Sequence, residues 1–284
     1  MKLDRNYIKE QLLKIGLRKG DTVLVHSQLL KVGLPEEDVF DLGKYYLDII
    51  LDIIGEKGEL VLPAFTYSYC NKKEFSPLED MSSVSELANS CIRNHIGYRT
   101  QDPLFSYVLV NPRSEEQSFS NVCFDFDNGM AGYLSFRKAK YLMIGDQIFF
   151  TLWHACEQQL RTHNRFMKKF SGTTKINGTK IHSEYYFYCR RFCDNTLRNV
   201  QELKRIVFDP LIAEGKLKQK CLGNSHLFFC SDLNVMLDSY RQSLKRDLFE
   251  LLKGPALSKN ELIKLDPEKE EIDIKRVKHK IIKL

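Results

Sequence analysis

Apolar residues return at helical spacing at Ile8, Leu12, Leu13 and Ile15, which predicts an amphipathic helix over residues 4–16. The turn Arg18-Lys19-Gly20-Asp21 leads into a β-rich run at 22–26. From 36 to 54, Val39, Leu42, Tyr46, Ile49, Ile50 and Ile53 recur every three or four residues, predicting a helix that stops at Gly55. Residues 59–65, 107–110 and 139–144 read as strands, the last a buried run closed by Gly145, and residues 85–95 as a surface helix. Strands alternating with helices predict an α/β domain, a mixed central sheet with flanking helices, whose function sits on the loops leaving the strands.

Beyond residue 160 the pattern changes. Residues 173–176 and 179–182 flank Asn177-Gly178, a hairpin signal, because Asn-Gly suits a two-residue turn that needs positive φ. The aromatic segment 185–191 continues that sheet or lines a pocket, and 200–212 and 235–252 read as helices. A single domain over 1–257 is expected, followed by a charged tail at 258–284 that ends in the basic run 275–280.

At 284 residues and 43% apolar, the chain can bury a sizeable core, which excludes a disordered protein. The greasiest stretch, 45–54, is broken by Asp48 and Asp52, and residues 1–18 carry charge throughout, so neither a membrane span nor a signal peptide is expected, and the location expected is cytoplasmic. The net charge of +6 is uneven: 17 Lys/Arg face 22 Asp/Glu over residues 1–160, and 26 face 15 over residues 161–284. A basic back half implies either a solvated surface or a face that meets something anionic. The eight cysteines form no Cys-x-x-Cys pair, so no zinc site is expected.

His154 and Glu157 are the chemically suggestive pair. On a helix, this spacing brings imidazole and carboxylate into contact, which orients the ring and raises its basicity, as a general base needs; the same spacing also suits a surface ion pair. His26 ends a β-run where a loop opens, as either a satisfied strand-end histidine or a functional group.

Four segments together carry a resemblance. Lys19-Gly20-Asp21-Thr22-Val23-Leu24-Val25-His26-Ser27, followed by Lys31-Val32-Gly33, resembles the opening motif of the aminoglycoside 3-N-acetyltransferase family. Gly58–Thr66 is similar to its second block, Arg99–Ser106 to its third, and Leu142–Gly145 with Thr151-x-x-His154-x-x-Glu157 to its fourth. The resemblance covers about residues 8–160 and implies direct acyl transfer from acetyl-CoA, or another acyl-CoA, to an amine, with no metal and no covalent enzyme intermediate. It implies that His154 is the general base and Glu157 its orienting partner. Thr151, Ser27 and backbone amides are candidates for holding the oxyanion. It also places acyl-CoA on His26, Ser27, Gln28, Leu29 and Lys31, with Ser82, Ser83 and Ser106 nearby. Ser82 and Ser83 stand where family members often carry Thr-Pro-Ser. Asp102 replaces the histidine that often precedes the proline of the third block, and an acid there faces the amine.

The acceptor side departs from an antibiotic-modifying enzyme. Arg161, Arg165, Lys168, Lys169, Arg190 and Arg191 suit phosphates better than a polycation, because Arg binds phosphate in bidentate fashion. Residues 163–172, the hairpin and Tyr186-x-Tyr188-x-Arg190 are similar to family members that acylate nucleotide-linked amino sugars. Tyr67, Arg165, Lys168, Tyr188 and Arg190 are therefore the expected acceptor contacts. The expected function is N-acylation of a nucleotide-linked amino sugar in surface-polysaccharide (O-antigen-type) biosynthesis. The alternatives are aminoglycoside resistance and, more remotely, nucleic-acid binding through the basic tail. A small-molecule acceptor is the expected partner, with no nucleic acid and no membrane, and a homodimer is possible.

Overall fold

The computed structural model describes residues 3–113, 118–267, 271–273, 277 and 280–283. In chain order the front half contains α1 (Arg5–Ile15), β1 (Thr22–Ser27), α2 (Leu29–Val32), α3 (Leu42–Ile54), β2 (Glu59–Pro63), α4 (Glu86–Arg93), β3 (Tyr98–Arg99), β4 (Tyr107–Val110), β5 (Ser118–Ser120), α5 (Met130–Phe136), β6 (Lys140–Ile144) and α6 (Trp153–Leu160). The back half adds β7 (Arg165–Ile176), β8 (Thr179–Arg190), α7 (Val200–Leu203), α8 (Asp209–Ala213), β9 (Leu217–Leu222), β10 (Ser225–Cys230), α9 (Asn234–Arg246), α10 (Lys259–Leu265) and β11 (Ile281–Lys283).

The core is a seven-stranded mixed sheet in the order β3-β4-β2-β1-β6-β10-β9. Its centre is parallel: β1 pairs with β2 and β6, each side chain from Thr22 to His26 is buried, and such strands need helices on both faces. Strand alternation supplies two apolar surfaces. Val23, Val25, Leu60 and Leu62 face α1, α3 and α4, while Leu24, Val61, Tyr141 and Met143 face α6 and α9. The parallel strands β1, β2 and β6 therefore open their carboxyl ends to the same edge, where ligand sites of such sheets form.

Two elements differ from the hydrophobic pattern. The helix expected from residue 36 begins at Leu42, because the Asp41 side chain accepts the Lys44 amide at 2.8 Å and caps it there. Phe40, just before it, stands in solvent. The hairpin β9–β10 was not evident in the sequence. Its strands mix Lys218, Lys220 and His226 with apolar residues, and β10 joins the central sheet antiparallel to β6, pairing Leu227 with Ile144. The central sheet thus takes strands from both sides of residue 160.

The Asn177-Gly178 hairpin is present and longer than expected, with β7 and β8 paired over their full twelve-residue lengths. The C-terminal segment lies against it. Arg191, fully buried, donates to the Asp266 carbonyl at 3.1 Å and to Glu271 at 2.7 Å. Ile272 bridges to Met167, and β11 pairs with β5. Of the basic run expected at 275–280, Lys275, Arg276, Lys278 and His279 lie outside the described residues. Among the described residues, no helix is long and apolar enough to cross a membrane.

Candidate active site

Helix α6 follows the carboxyl end of β6 after the loop 145–152, and one turn separates His154 from Glu157 along it. The His154 Nδ1 lies 2.9 Å from a Glu157 carboxylate oxygen. An ionised carboxylate only accepts, so Nδ1 carries the proton and Nε2 is the basic nitrogen. Glu157 is buried and holds more than the histidine. Arg165 Nε sits 2.9 Å from the oxygen that His154 uses, and Arg198 Nη2 and the Tyr240 hydroxyl donate to the other at 3.1 and 3.0 Å. The Arg165 pairing is off the hydrogen-bonding angle, so charge rather than alignment joins it to Glu157.

Burial alone would raise the Glu157 pKa, but Arg165, Arg198 and His154 together hold it well below the usual carboxylate range. Burial, aided by Arg165, pushes His154 down to about 4, against the opposing pull of Glu157. His154 is thus uncharged at neutral pH. Its ring packs edge-on against Phe124 and Phe187 at centroid distances of 5.1 and 5.8 Å.

His154 forms part of the wall of an open cleft of about 760 Å³. Of the expected acceptor contacts, Tyr67, Arg165, Lys168 and Arg190 line this cleft together. Trp153, Phe187 and Arg198 line it too, and no acidic side chain does among the described residues. Tyr188 is elsewhere: it lies on the other face of the hairpin, where its hydroxyl donates to the Thr162 carbonyl at 2.9 Å and its ring packs with Met167 and Val277. Period-two alternation separates it from Phe187.

A second groove, of about 730 Å³, runs along the segment after β1. Ser27, Gln28, Leu29 and Lys31 line it with Phe40, Asp41 and Arg93. His26, buried just before Ser27, has its Nε2 3.3 Å from the Thr151 hydroxyl. The Thr151 carbonyl in turn accepts the His154 amide at 3.2 Å. Burial pushes His26 down to about 3, so it too is neutral. Its Nδ1 and the Ser27 hydroxyl are buried without a partner. Orphaned polar atoms beside an open groove are groups that a bound molecule can satisfy, so they fit a polar cosubstrate at this place. Gly145, at φ 155°, lets the chain pass close to Gln28: an added Cβ would meet the Gln28 side-chain oxygen at 2.6 Å.

The remaining expected site residues serve other ends. Ser106 is fully buried, donating to the Ala64 carbonyl at 2.7 Å and accepting from Arg99 at 3.1 Å, which leaves it no surface for a cofactor. Arg99 also reaches the Pro77, Asp80 and Ala64 carbonyls, so the Arg99–Ser106 block staples loops together. Ser82 is buried and turns the chain into α4 by accepting the Val84 amide, and Ser83 donates to the Phe65 carbonyl. Neither lines the groove. Asp102 caps its own turn by accepting the Leu104 and Phe105 amides, and burial raises its pKa. It lines a separate cavity of about 40 Å³, large enough for a water or two, and not the cleft that holds His154. Arg198 and Tyr240 had no marker in the sequence, since each is isolated from any motif and meets Glu157 only through folding; Trp153 stands inside the Thr151–Glu157 motif as one of its unassigned positions.

The mixed sheet with flanking helices matches the fold of solved aminoglycoside acetyltransferases. AAC-IIIb solved with CoASH matches with a TM-score of 0.71 at 16% identity, over 90% of this chain and 100% of that one. AAC-VIa bound to sisomicin matches at 0.70 and 14%, over 87% and 98%, and the YokD protein from Bacillus subtilis at 0.66 and 17%, over 87% and 95%. No family model and no curated protein matches the chain.

Proposed function

We propose that the protein is an acyl-CoA-dependent N-acyltransferase whose acceptor is a nucleotide-linked amino sugar. The observation that carries this reading is the cleft itself. It joins a neutral, carboxylate-backed His154 to Arg165, Lys168, Arg190 and Arg198 and to aromatic rings, with no acidic side chain lining it among the described residues. Lys168 and Arg190 suit a diphosphate, and rings suit a base or sugar face. Acyl-CoA would lie along Ser27, Gln28, Leu29 and Lys31, with its thioester directed toward Thr151 and His154. The donor assignment is supported by the fold it shares with AAC-IIIb, solved with CoASH.

In the transfer, the acceptor nitrogen attacks the thioester carbonyl while His154 Nε2 takes its proton. The tetrahedral oxyanion draws on Thr151, Ser27 or nearby backbone amides, and the C–S bond then breaks to release the CoA thiolate. Surface-polysaccharide synthesis is the setting such an acceptor implies.

The fold neighbour bound to sisomicin favours a second reading, acetylation of an aminoglycoside. Thiol release from acetyl-CoA, measured across nucleoside-diphosphate amino sugars and aminoglycosides, separates the two. Turnover and thermal stabilisation with the first group alone are expected. Turnover with aminoglycosides alone establishes the second reading instead.

A further inference from the structure

We propose that Arg198 and Arg165 are positioning residues: by clamping both carboxylate oxygens of Glu157, they keep His154 an uncharged base with Nε2 open to the cleft. The inference rests on His154 being the base of the transfer.

A simple histidine–carboxylate pair has the opposite tendency. A lone carboxylate beside the ring stabilises imidazolium, and part of the histidine would then be protonated and unable to accept a proton. Here two guanidinium groups face one carboxylate, so the charge around His154 excluding the ring is net positive. The acceptor capacity of Glu157 is also taken up. One oxygen meets His154 and Arg165, the other Arg198 and Tyr240. These contacts hold the carboxylate ionised and in line with the ring.

Both arginines are themselves fixed. Arg198 lies 3.8 Å over the Trp153 ring and 5.5 Å from that of Tyr240, and Arg165 donates to the Tyr188 carbonyl at 3.0 Å. The groups facing His154 come from every neighbouring element. Glu157 lies on α6, Arg165 on β7, Arg198 on the segment before α7, and Tyr240 on α9 behind Glu157. Lys168 and Arg190 on the hairpin share the cleft, as do Tyr67 and Cys70, whose pKa values burial raises so that both stay neutral. Among the described residues lining the cleft, nothing offsets the arginines apart from Glu157 behind the ring.

The full chain carrying Arg198→Gln or Arg198→Lys tests this. The NMR titration of the His154 ring and the acid limb of kcat/KM are read with acetyl-CoA and the amine identified by thiol release. Removing a cation within a few ångströms should move both upward by about one pH unit in Arg198→Gln, and far less in Arg198→Lys, which keeps the charge. A merely structural role lowers activity at every pH and leaves the titration where it was, which overturns the clamp. If Arg198→Gln does not fold, as judged by circular dichroism, Arg198→Met, which keeps the packing over Trp153 without the charge, decides: an upward shift of the His154 titration supports the clamp, and an unmoved titration overturns it. A His154→Ala protein that retains turnover overturns His154 as the base, and so the reading on which the clamp rests. An unmoved titration in Arg198→Gln overturns the clamp alone.

Discussion

His26 is as buried as a core leucine yet carries a titratable ring, and that ties stability to pH. Its pKa, pushed down by burial to about 3, lies below the 6.5 of an unfolded histidine. Between those values the unfolded chain binds the extra proton, so stability falls as pH drops below 6.5, by about 1.4 kcal/mol per pH unit for each such group. His154, pushed down to about 4, adds a second contribution of the same sign. Glu157, held low, acts in the same direction at more acidic pH: its stabilisation is present above the ordinary carboxylate pKa and is lost as pH falls below it. We expect the unfolding free energy from urea titrations to decline between pH 6.5 and 4, and His26→Gln to show a shallower decline. An equal slope in that variant would mean that His26 does not titrate on unfolding. The pairing of His154 with Glu157 was legible from spacing alone, because three residues along a helix bring two side chains together whatever surrounds them. The roles of Ser106 and Asp102 were not, since a serine or aspartate in a motif looks the same whether it faces a ligand or its own backbone.

Gly43 separates local propensity from packing at the level of elements. By propensity alone, Gly→Ala inside α3 should stabilise by about 1 kcal/mol. The helix instead crosses α4 so closely that an added Cβ would lie 2.4 Å from the Glu86 carbonyl and 2.9 Å from the Ser90 Cβ. Gly43→Ala is therefore expected to destabilise by about 1–3 kcal/mol in a denaturant titration. A stabilised variant would show that the helices can move apart at little cost. The Asn177-Gly178 turn was legible because its chemistry is local, with φ of 48° and 79° at the two turn residues. The β9–β10 hairpin was not, because lysines along an edge strand mask the period-two pattern that a half-buried strand otherwise displays.

At the scale of the molecule, the C-terminal segment is no loose tail. The fully buried Arg191 depends on Glu271 and the Asp266 carbonyl, and Met167, on the hairpin that walls the His154 cleft, pairs with Ile272. A chain ending at residue 257 leaves that buried guanidinium without its carboxylate and without the Asp266 carbonyl, which is destabilising because a buried charge then has no partner there. We expect a clearly lower melting temperature for the truncated protein; an unchanged melt would mean that the segment only rests on the surface. The positive charge of the back half also takes on a place. Part of it lines the cleft at Arg165, Lys168, Arg190 and Arg198, and part is spent inside the fold, as at Arg191.

The sequence by itself determined the alternation of strands and helices in the front half, the Asn-Gly hairpin and the histidine–glutamate pair. These follow from periodicity, turn chemistry and short spacing, which act within a few residues. Only the tertiary structure decided which charges meet Glu157, since Arg198 and Tyr240 are 41 and 83 residues away along the chain. It also decided that Tyr188 turns away from the cleft and that the charged C-terminal segment packs down. Those outcomes depend on which faces become buried together, and no local pattern carries that information.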